Sequence, residues 1–283
     1  MRWQGRRESS NVEDRRSGGS SGKMIGGGVG VLVIAAIVYF LGGDPTVVLQ
    51  QAGDLQSSST EQYTPDAAEN EAAQFVSVVL AETEDFWHRE FADMGYEYKE
   101  PTLVLFHSSV ESGCGQAGAA SGPFYCPLDQ KVYIDLSFYD ELHGRFGAPG
   151  DFAMAYVVAH EVGHHVQTLL GISEKVRALK ESRSEVEANK LSVMQELQAD
   201  FFAGMWAHYT DRMQNILDEG DIDEALNAAN AIGDDRLQKR FGNGTVVPDA
   251  FTHGTSAQRV RWFKKGYDTG DISQGDTFGT REL

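Results

Sequence analysis

At 283 residues, with 41% apolar and 10% aromatic side chains, the chain is long enough to bury one sizeable core. A formal charge of −18 and a pI of about 4.8 lack the basic footprint that nucleic-acid binding requires, so no nucleic-acid partner is expected. The charge is also uneven: residues 1–23 carry six basic groups against three acidic ones, which leaves −21 on the rest.

Residues 1–23 are polar and end in a Gly/Ser run, Ser17 to Gly22, which reads as a disordered cytoplasmic tail. Met24 to Leu41 contains no charged residue. Eighteen residues rise about 27 Å as a helix, enough for a bilayer core, so residues 24–43 are expected to form a single transmembrane helix. The basic residues before it place the N-terminus in the cytoplasm, by the rule that positive flanks stay inside. The expected setting is therefore a bacterial inner membrane, with the body on the periplasmic or extracellular side. A cleaved signal peptide is the rival, disfavoured by the long, partly acidic leader. A nucleotide-binding glycine loop at Gly26–Gly30 is rejected because no strand precedes it. Residues 44–66, rich in Gln, Ser and Thr, read as a linker, and residues 67–283 as one folded domain.

Within the body, residues 67–94 have helical apolar spacing through Phe75, Val78, Val79 and Phe86, followed by Gly95. Thr102–Phe106 and Val132–Leu136 read as strands. Between them lie the two cysteines, Cys114 and Cys126. Free buried thiols are one reading; a disulfide closing a short loop is the better fit to an oxidising side of the membrane, worth about 3 kcal/mol. From Asp151 onward the pattern is helical: 151–170, a long helix from 181 to about 217, another from 221 to about 240, and a last one starting near Ser256 after the loop 243–254. Few strands and many helices give an α+β fold, mostly helical with a small antiparallel sheet.

The chemistry concentrates in His160-Glu161-Val162-Gly163-His164, the H-E-x-x-H pattern. Two histidines four apart share a helix face, so both imidazoles reach one Zn2+ ion. Glu161 lies about 100° round the helix, beside the metal, where it serves as general base towards a water whose pKa zinc has lowered to about 7. A catalytic zinc needs a third protein ligand. Glu196, in Gln195-Glu-Leu-Gln-Ala-Asp200, is the candidate, and Asp200 on the same face is placed to accept the N–H of a ligand histidine. An ordinary solvated acidic pair is the bland alternative. Ala199, Ala203 and Gly204 would let this helix approach the first closely. Glu185 and Glu187 are weaker ligand candidates. His165 points away from the ligand face and reads as structural. His253 is either a surface histidine or a catalytic group stabilising the oxyanion near the open metal position, with Arg259 in support. An exposed edge at Val132–Leu136 would align an extended peptide by main-chain hydrogen bonds.

Several further motifs extend the pattern over nearly the whole chain. They are the opening Met1-Arg-Trp-Gln-Gly-Arg-Arg-Glu-Ser-Ser-Asn-Val-Glu-Asp-Arg-Arg16, Tyr125-Cys-Pro127, His160-Glu-Val-Gly-His-His-Val-Gln167, Glu196-Leu-Gln-Ala-Asp200, and Thr252-His-Gly-Thr255 with Arg259. On these the chain resembles the bacterial neutral zinc metallopeptidases of the YpfJ-like family. The resemblance implies a membrane-tethered, zincin-like fold that hydrolyses peptide bonds, with His160 and His164 as zinc ligands and Glu161 catalytic. Glu196 resembles the third ligand of glutamate-ligated zincins. The alternative is a module of the cell envelope that keeps the zincin fold for binding or quality control without catalysis; an intact Glu161 argues against it.

Overall fold

The computed structural model describes residues 1–17, 63–118, 121–241, 245–280 and 282–283. Met1–Arg15 and Asp66–Leu283 together make one unit, and Arg16–Pro65 group separately.

The sheet is built on period-2 burial. Its order is β1-β2-β6-β5, from β1 (Val12–Asp14), β2 (Thr102–Phe106), β6 (Lys131–Asp135) and β5 (Phe124–Cys126). Leu103, Leu105, Val132 and Ile134 face the main core; Val104, Phe106 and Tyr133 face a smaller cluster on the other side with Val110 and Cys126. The sheet is not the small antiparallel one expected. β1–β2 and β2–β6 are parallel, and only β5–β6 is antiparallel. The separate hairpin of β3 (Ser109–Ser112) and β4 (Gly115–Gly118) is antiparallel. Cys114, in its turn, is disulfide-bonded to Cys126 on β5, with Cα atoms 5.8 Å apart.

Helices cover the core face of this sheet. α1 (Ala67–Asp93) starts with Asp66, whose carboxylate accepts from Glu69 N at 2.8 Å. α2 (Asp151–Leu169) is buried nearly all round, from Phe152 to Gln167, and its first half, Phe152 to Ala159, is apolar on every face. It lies against α1, the sheet, α4 (Glu185–Arg212) and α5 (Asp221–Ala231). Phe152 stacks on Trp206 of α4 at 5.6 Å, and Trp87 of α1 meets Phe202 edge to face at 5.4 Å. Each such fully buried ring contributes about 1.5–3 kcal/mol.

Helix boundaries after α2 differ from the sequence reading. A separate α3 (Ile172–Lys180) follows Gly171, and α4 begins only at Glu185, because Ser184 and Glu187 form a reciprocal capping box. Glu187 is thereby used as a cap, away from the histidines. The helix expected over 221–240 is two, α5 and α6 (Asp234–Phe241), broken at Gly233. A side chain at Gly233 would collide with Ser256, the first residue of α7 (Ser256–Thr269), at 2.3 Å. Gly204 does not serve the approach of α4 to α2. Its missing Cβ makes room for the Phe263 carbonyl of α7, while Gly266 of α7 does the same for the Phe201 carbonyl of α4.

The N-terminal segment corrects the membrane reading. Residues 1–15 are part of the folded unit and not a disordered tail. β1 pairs with β2, Trp3 is buried edge to face on Phe75, and Ser9 N donates to Ser77 O at 3.0 Å. Two of the basic residues counted as a positive flank are counter-ions within the fold: Arg6 meets the buried Glu82 at 2.7 Å, and Arg7 meets the buried Glu84 at 3.0 Å. A single crossing at residues 24–43 would put these partners on opposite faces of a bilayer. Among the described residues no helix is long and apolar enough to span a membrane. These contacts contradict the expected single-pass fold and the inner-membrane location. Residues 24–43 and most of the expected linker lie outside the described residues.

Candidate active site

α2 brings His160 and His164 onto one face, with ring centroids 4.8 Å apart. α4 crosses this helix so closely that a Cβ on Gly163 would lie 3.1 Å from the Ala199 backbone. One turn earlier on α4, Glu196 is thereby presented to both rings. Its Oε2 lies 3.2 Å from His160 Nε2 and its Oε1 lies 3.4 Å from His164 Nε2. These three side chains offer donor atoms all within 4.8 Å of one another.

The other ring nitrogens are fixed from behind. His160 Nδ1 lies 2.8 Å from Asp200 Oδ1. Asp200 is fully buried, yet the Arg259 guanidinium and His160 hold its carboxyl down at about 2, so it only accepts, and His160 Nδ1–H donates. His164 Nδ1 lies 2.9 Å from Gln167 Oε1, while Gln167 Nε2 donates to Gln195 O at 2.7 Å and to Gln198 Oε1 at 3.1 Å. Those donations assign the Gln167 oxygen towards His164, so His164 Nδ1–H also donates. Both Nε2 atoms are left as lone-pair donors aimed at one point, the arrangement a metal-binding histidine pair needs. Two neutral imidazoles and one carboxylate suit zinc, which takes three protein ligands and keeps a fourth position open in catalytic sites.

The metal-free electrostatics agree with that assignment. Burial works against a charged His160, but the charge and hydrogen bonds of Asp200 and Glu196 outweigh it and carry its pKa up to about 10. Glu196 is held well below the usual carboxylate range by His164 and His160, in spite of burial. A cation is thus wanted between these groups; a metal ion would replace the protons.

Glu161 is buried in the cleft floor, and its carboxylate makes no hydrogen bond or ion pair among the described residues. Burial raises its pKa, and the two histidines oppose the rise. A carboxylate without a protein partner beside a metal position is poised to hold a water or carry a proton.

His253 reaches the same cleft from the loop before α7. The break at Gly233 places Asp234 so that its Oδ2 accepts from the backbone N–H of Thr252 (2.8 Å), His253 (2.6 Å) and Gly254 (3.1 Å). Its Oδ1 lies 3.2 Å from His253 Nδ1. Asp234 thus fixes both loop and ring, and its hydrogen bond raises the pKa of His253. Arg259, expected as a second oxyanion donor, has its guanidinium engaged by other partners. It is buried, paired through Nε and Nη2 with Asp200 at 2.9 Å each, and it donates to the Tyr156 hydroxyl at 3.1 Å. Tyr156 in turn donates to Asp200 at 2.5 Å.

Gln167, Tyr156 and Asp234 were not picked out from the sequence. Gln167 and Tyr156 could have been, since they stand three after His164 and four before His160. Asp234 carried no such signal, being 19 residues from His253. His165 is fully buried away from the ligand face. Its Nε2 lies 2.6 Å from Lys99 O, and a carbonyl only accepts, so Nδ1 accepts from the Tyr125 hydroxyl at 3.1 Å. The edge strand beside the cleft is β5, not the strand at 132–136, which is β6 and lies between β2 and β5. Phe124 and Tyr125 of β5 line the cleft, whose volume is about 810 Å3.

The family model described as "Putative neutral zinc metallopeptidase" matches residues 1–278. The chain belongs to this family. It is 52% identical over 288 residues to the uncharacterized protein YpfJ of Escherichia coli K12, covering 99% of both chains. It is 42% identical over 196 residues to the uncharacterized proteins Mb2605 of Mycobacterium bovis and Rv2575 of Mycobacterium tuberculosis, covering 66% of this chain and 65% of each relative. No solved structure matches it. Membership supports metallopeptidase activity in general, with zinc as the cofactor the family implies.

Proposed function

We propose that this family member hydrolyses internal peptide bonds of extended peptide or protein substrates, with a zinc ion held by His160, His164 and Glu196. The observation that carries this reading is the convergence of two Nε2 lone pairs and the Glu196 carboxylate on one point, with the unpartnered Glu161 beside it. Bound there, zinc supplies a Lewis acid that lowers the pKa of a coordinated water towards neutrality and polarises a carbonyl.

The chain's own residues do the rest. Glu161 takes the proton of the attacking water and delivers it to the departing amine; its burial-raised pKa suits a group that both accepts and returns a proton. Asp234 holds His253 at the cleft, where its imidazole donates to the oxyanion that forms on the carbonyl. Asp200 and Gln167 keep the two ligand rings in the tautomer that leaves Nε2 free. Edge strand β5 offers its backbone to an extended substrate.

The test compares wild-type chain with Glu161→Gln. Both should bind one zinc per chain by elemental analysis, and only the wild type should cleave casein. Zinc bound by both with cleavage by neither would turn the reading towards a non-catalytic module.

A further inference from the structure

We infer that the cleft selects peptides that present a carboxylate to Lys180; the inference rests on the reading of this cleft as a peptide site. α3 forms one wall of it through a single stripe, Ser173, Val176, Arg177 and Lys180, spaced three and four apart. The two cations of the stripe differ in kind. Arg177 is exposed and paired with Glu181 at 2.9 Å. Lys180 is half-buried, and its ammonium makes no hydrogen bond or ion pair among the described residues.

The acid whose charge reaches Lys180 is Glu196. Both Glu196 oxygens are already turned to the histidines, at 3.2 and 3.4 Å, and a bound metal would engage them further. Burial accordingly lowers the pKa of Lys180. A partly desolvated cation without an anion costs the fold stability, so its place in the cleft wall needs another reason. A carboxylate brought by the substrate supplies one, through a charge-assisted hydrogen bond in a partly dry cleft. The other two cations at the cleft wall are matched, Arg145 with Glu141 at 3.8 Å and Arg177 with Glu181, which leaves Lys180 as the cation there whose charge is open to a ligand. The carboxylate has two sources, an Asp or Glu side chain or the C-terminus of the peptide.

The experiment uses the zinc-loaded full chain and two pairs of fluorescein-labelled peptides. One pair differs by Glu against Gln beside the scissile bond, with amidated C-termini; the other is neutral in sequence, with a free or an amidated C-terminus. Binding is read by anisotropy on Glu161→Gln protein, and kcat/KM on protein with Glu161 intact. The carboxylate member of one pair should bind about tenfold more tightly. Lys180→Gln should abolish that preference and Lys180→Glu reverse it, the difference within each pair being carried by KM. The pair that shows the preference names the source of the carboxylate. Equal binding within both pairs, or a preference that survives Lys180→Gln, overturns the inference. A Lys180-dependent preference without any cleavage would sink the peptidase reading and leave the carboxylate site standing; cleavage without preference would do the reverse.

Discussion

Acid should destabilise this protein through a residue that binds no metal, His165. Its ring is fully buried between Tyr98 and Tyr125, at centroid distances of 5.9 and 5.4 Å. Burial, opposed only in part by the Lys99 carbonyl, pulls its pKa from 6.5 down to about 4. A second proton would sit on Nδ1, where Tyr125 now donates. The unfolded chain therefore takes up a proton at pH 6.5, and the folded chain only near pH 4. Above pH 6.5 neither form is charged, and the full stability is present. As pH falls from 6.5 to 4 the unfolded state is favoured by about 1.4 kcal/mol per pH unit, for a loss of about 3 kcal/mol; below pH 4 the slope from this residue ends. The comparison protein is His165→Gln, whose amide keeps one donor for Lys99 and one acceptor for Tyr125 but does not titrate. Urea unfolding can be followed by the buried Trp87, Trp206 and Trp262, with chelator present. Titration of His160 and His164 is common to both proteins and cancels in the difference. Wild type should lose about 3 kcal/mol relative to His165→Gln between pH 6.5 and 4. Parallel profiles would refute the buried-neutral assignment.

Two further predictions concern the supports of the proposed metal ligands. Gln167→Leu removes the acceptor behind His164 and should weaken zinc affinity about 10–100-fold in a chelator competition, with peptide hydrolysis recovered at saturating zinc. Asp200→Asn leaves Arg259 buried without its anion and should cost about 3–5 kcal/mol in metal-free thermal or urea unfolding; a loss below about 1 kcal/mol would mean the guanidinium finds another partner or water.

The site was more legible than its scaffold because its logic is local. His160, Glu161 and His164 lie within one helical turn and a half, and Glu196 and Asp200 within another, so spacing alone says which side chains share a face. What brings the two turns together is the contact of Gly163 with Ala199, and pairing between helices is not written in either periodicity. The same limit applies to His253. Its position depends on a helix break at Gly233 that puts Asp234 under three backbone N–H groups of a loop 18 to 20 residues on. Nothing in the spacing of 221–254 distinguishes that arrangement from one continuous helix followed by an unconstrained loop. The sheet failed for a related reason. An antiparallel reading suits neighbouring strands joined by short turns, but β1 reaches β2 only after α1, and a parallel pair needs such a crossover.

The N-terminal arginines show how composition misleads when burial is unknown. Six basic residues ahead of an uncharged run satisfy the statistics of a membrane flank, and those statistics take no account of partners elsewhere in the chain. Glu82 and Glu84, in a stretch of α1 that is buried on every side among residues such as Phe75, Val78, Val79 and Phe86, are the matching anomaly: buried carboxylates call for cations beside them. Arg6 and Arg7 supply those cations, and Ser9 Oγ and Asn11 Nδ2 complete Glu84, at 2.5 and 2.9 Å. Burial thus accounts for Glu82 and Glu84 on α1 and for Arg6 and Arg7 ahead of β1 by one cause. It also makes the first fifteen residues a structural strap on α1, which a topology that sends them across a bilayer from their partners would have to break.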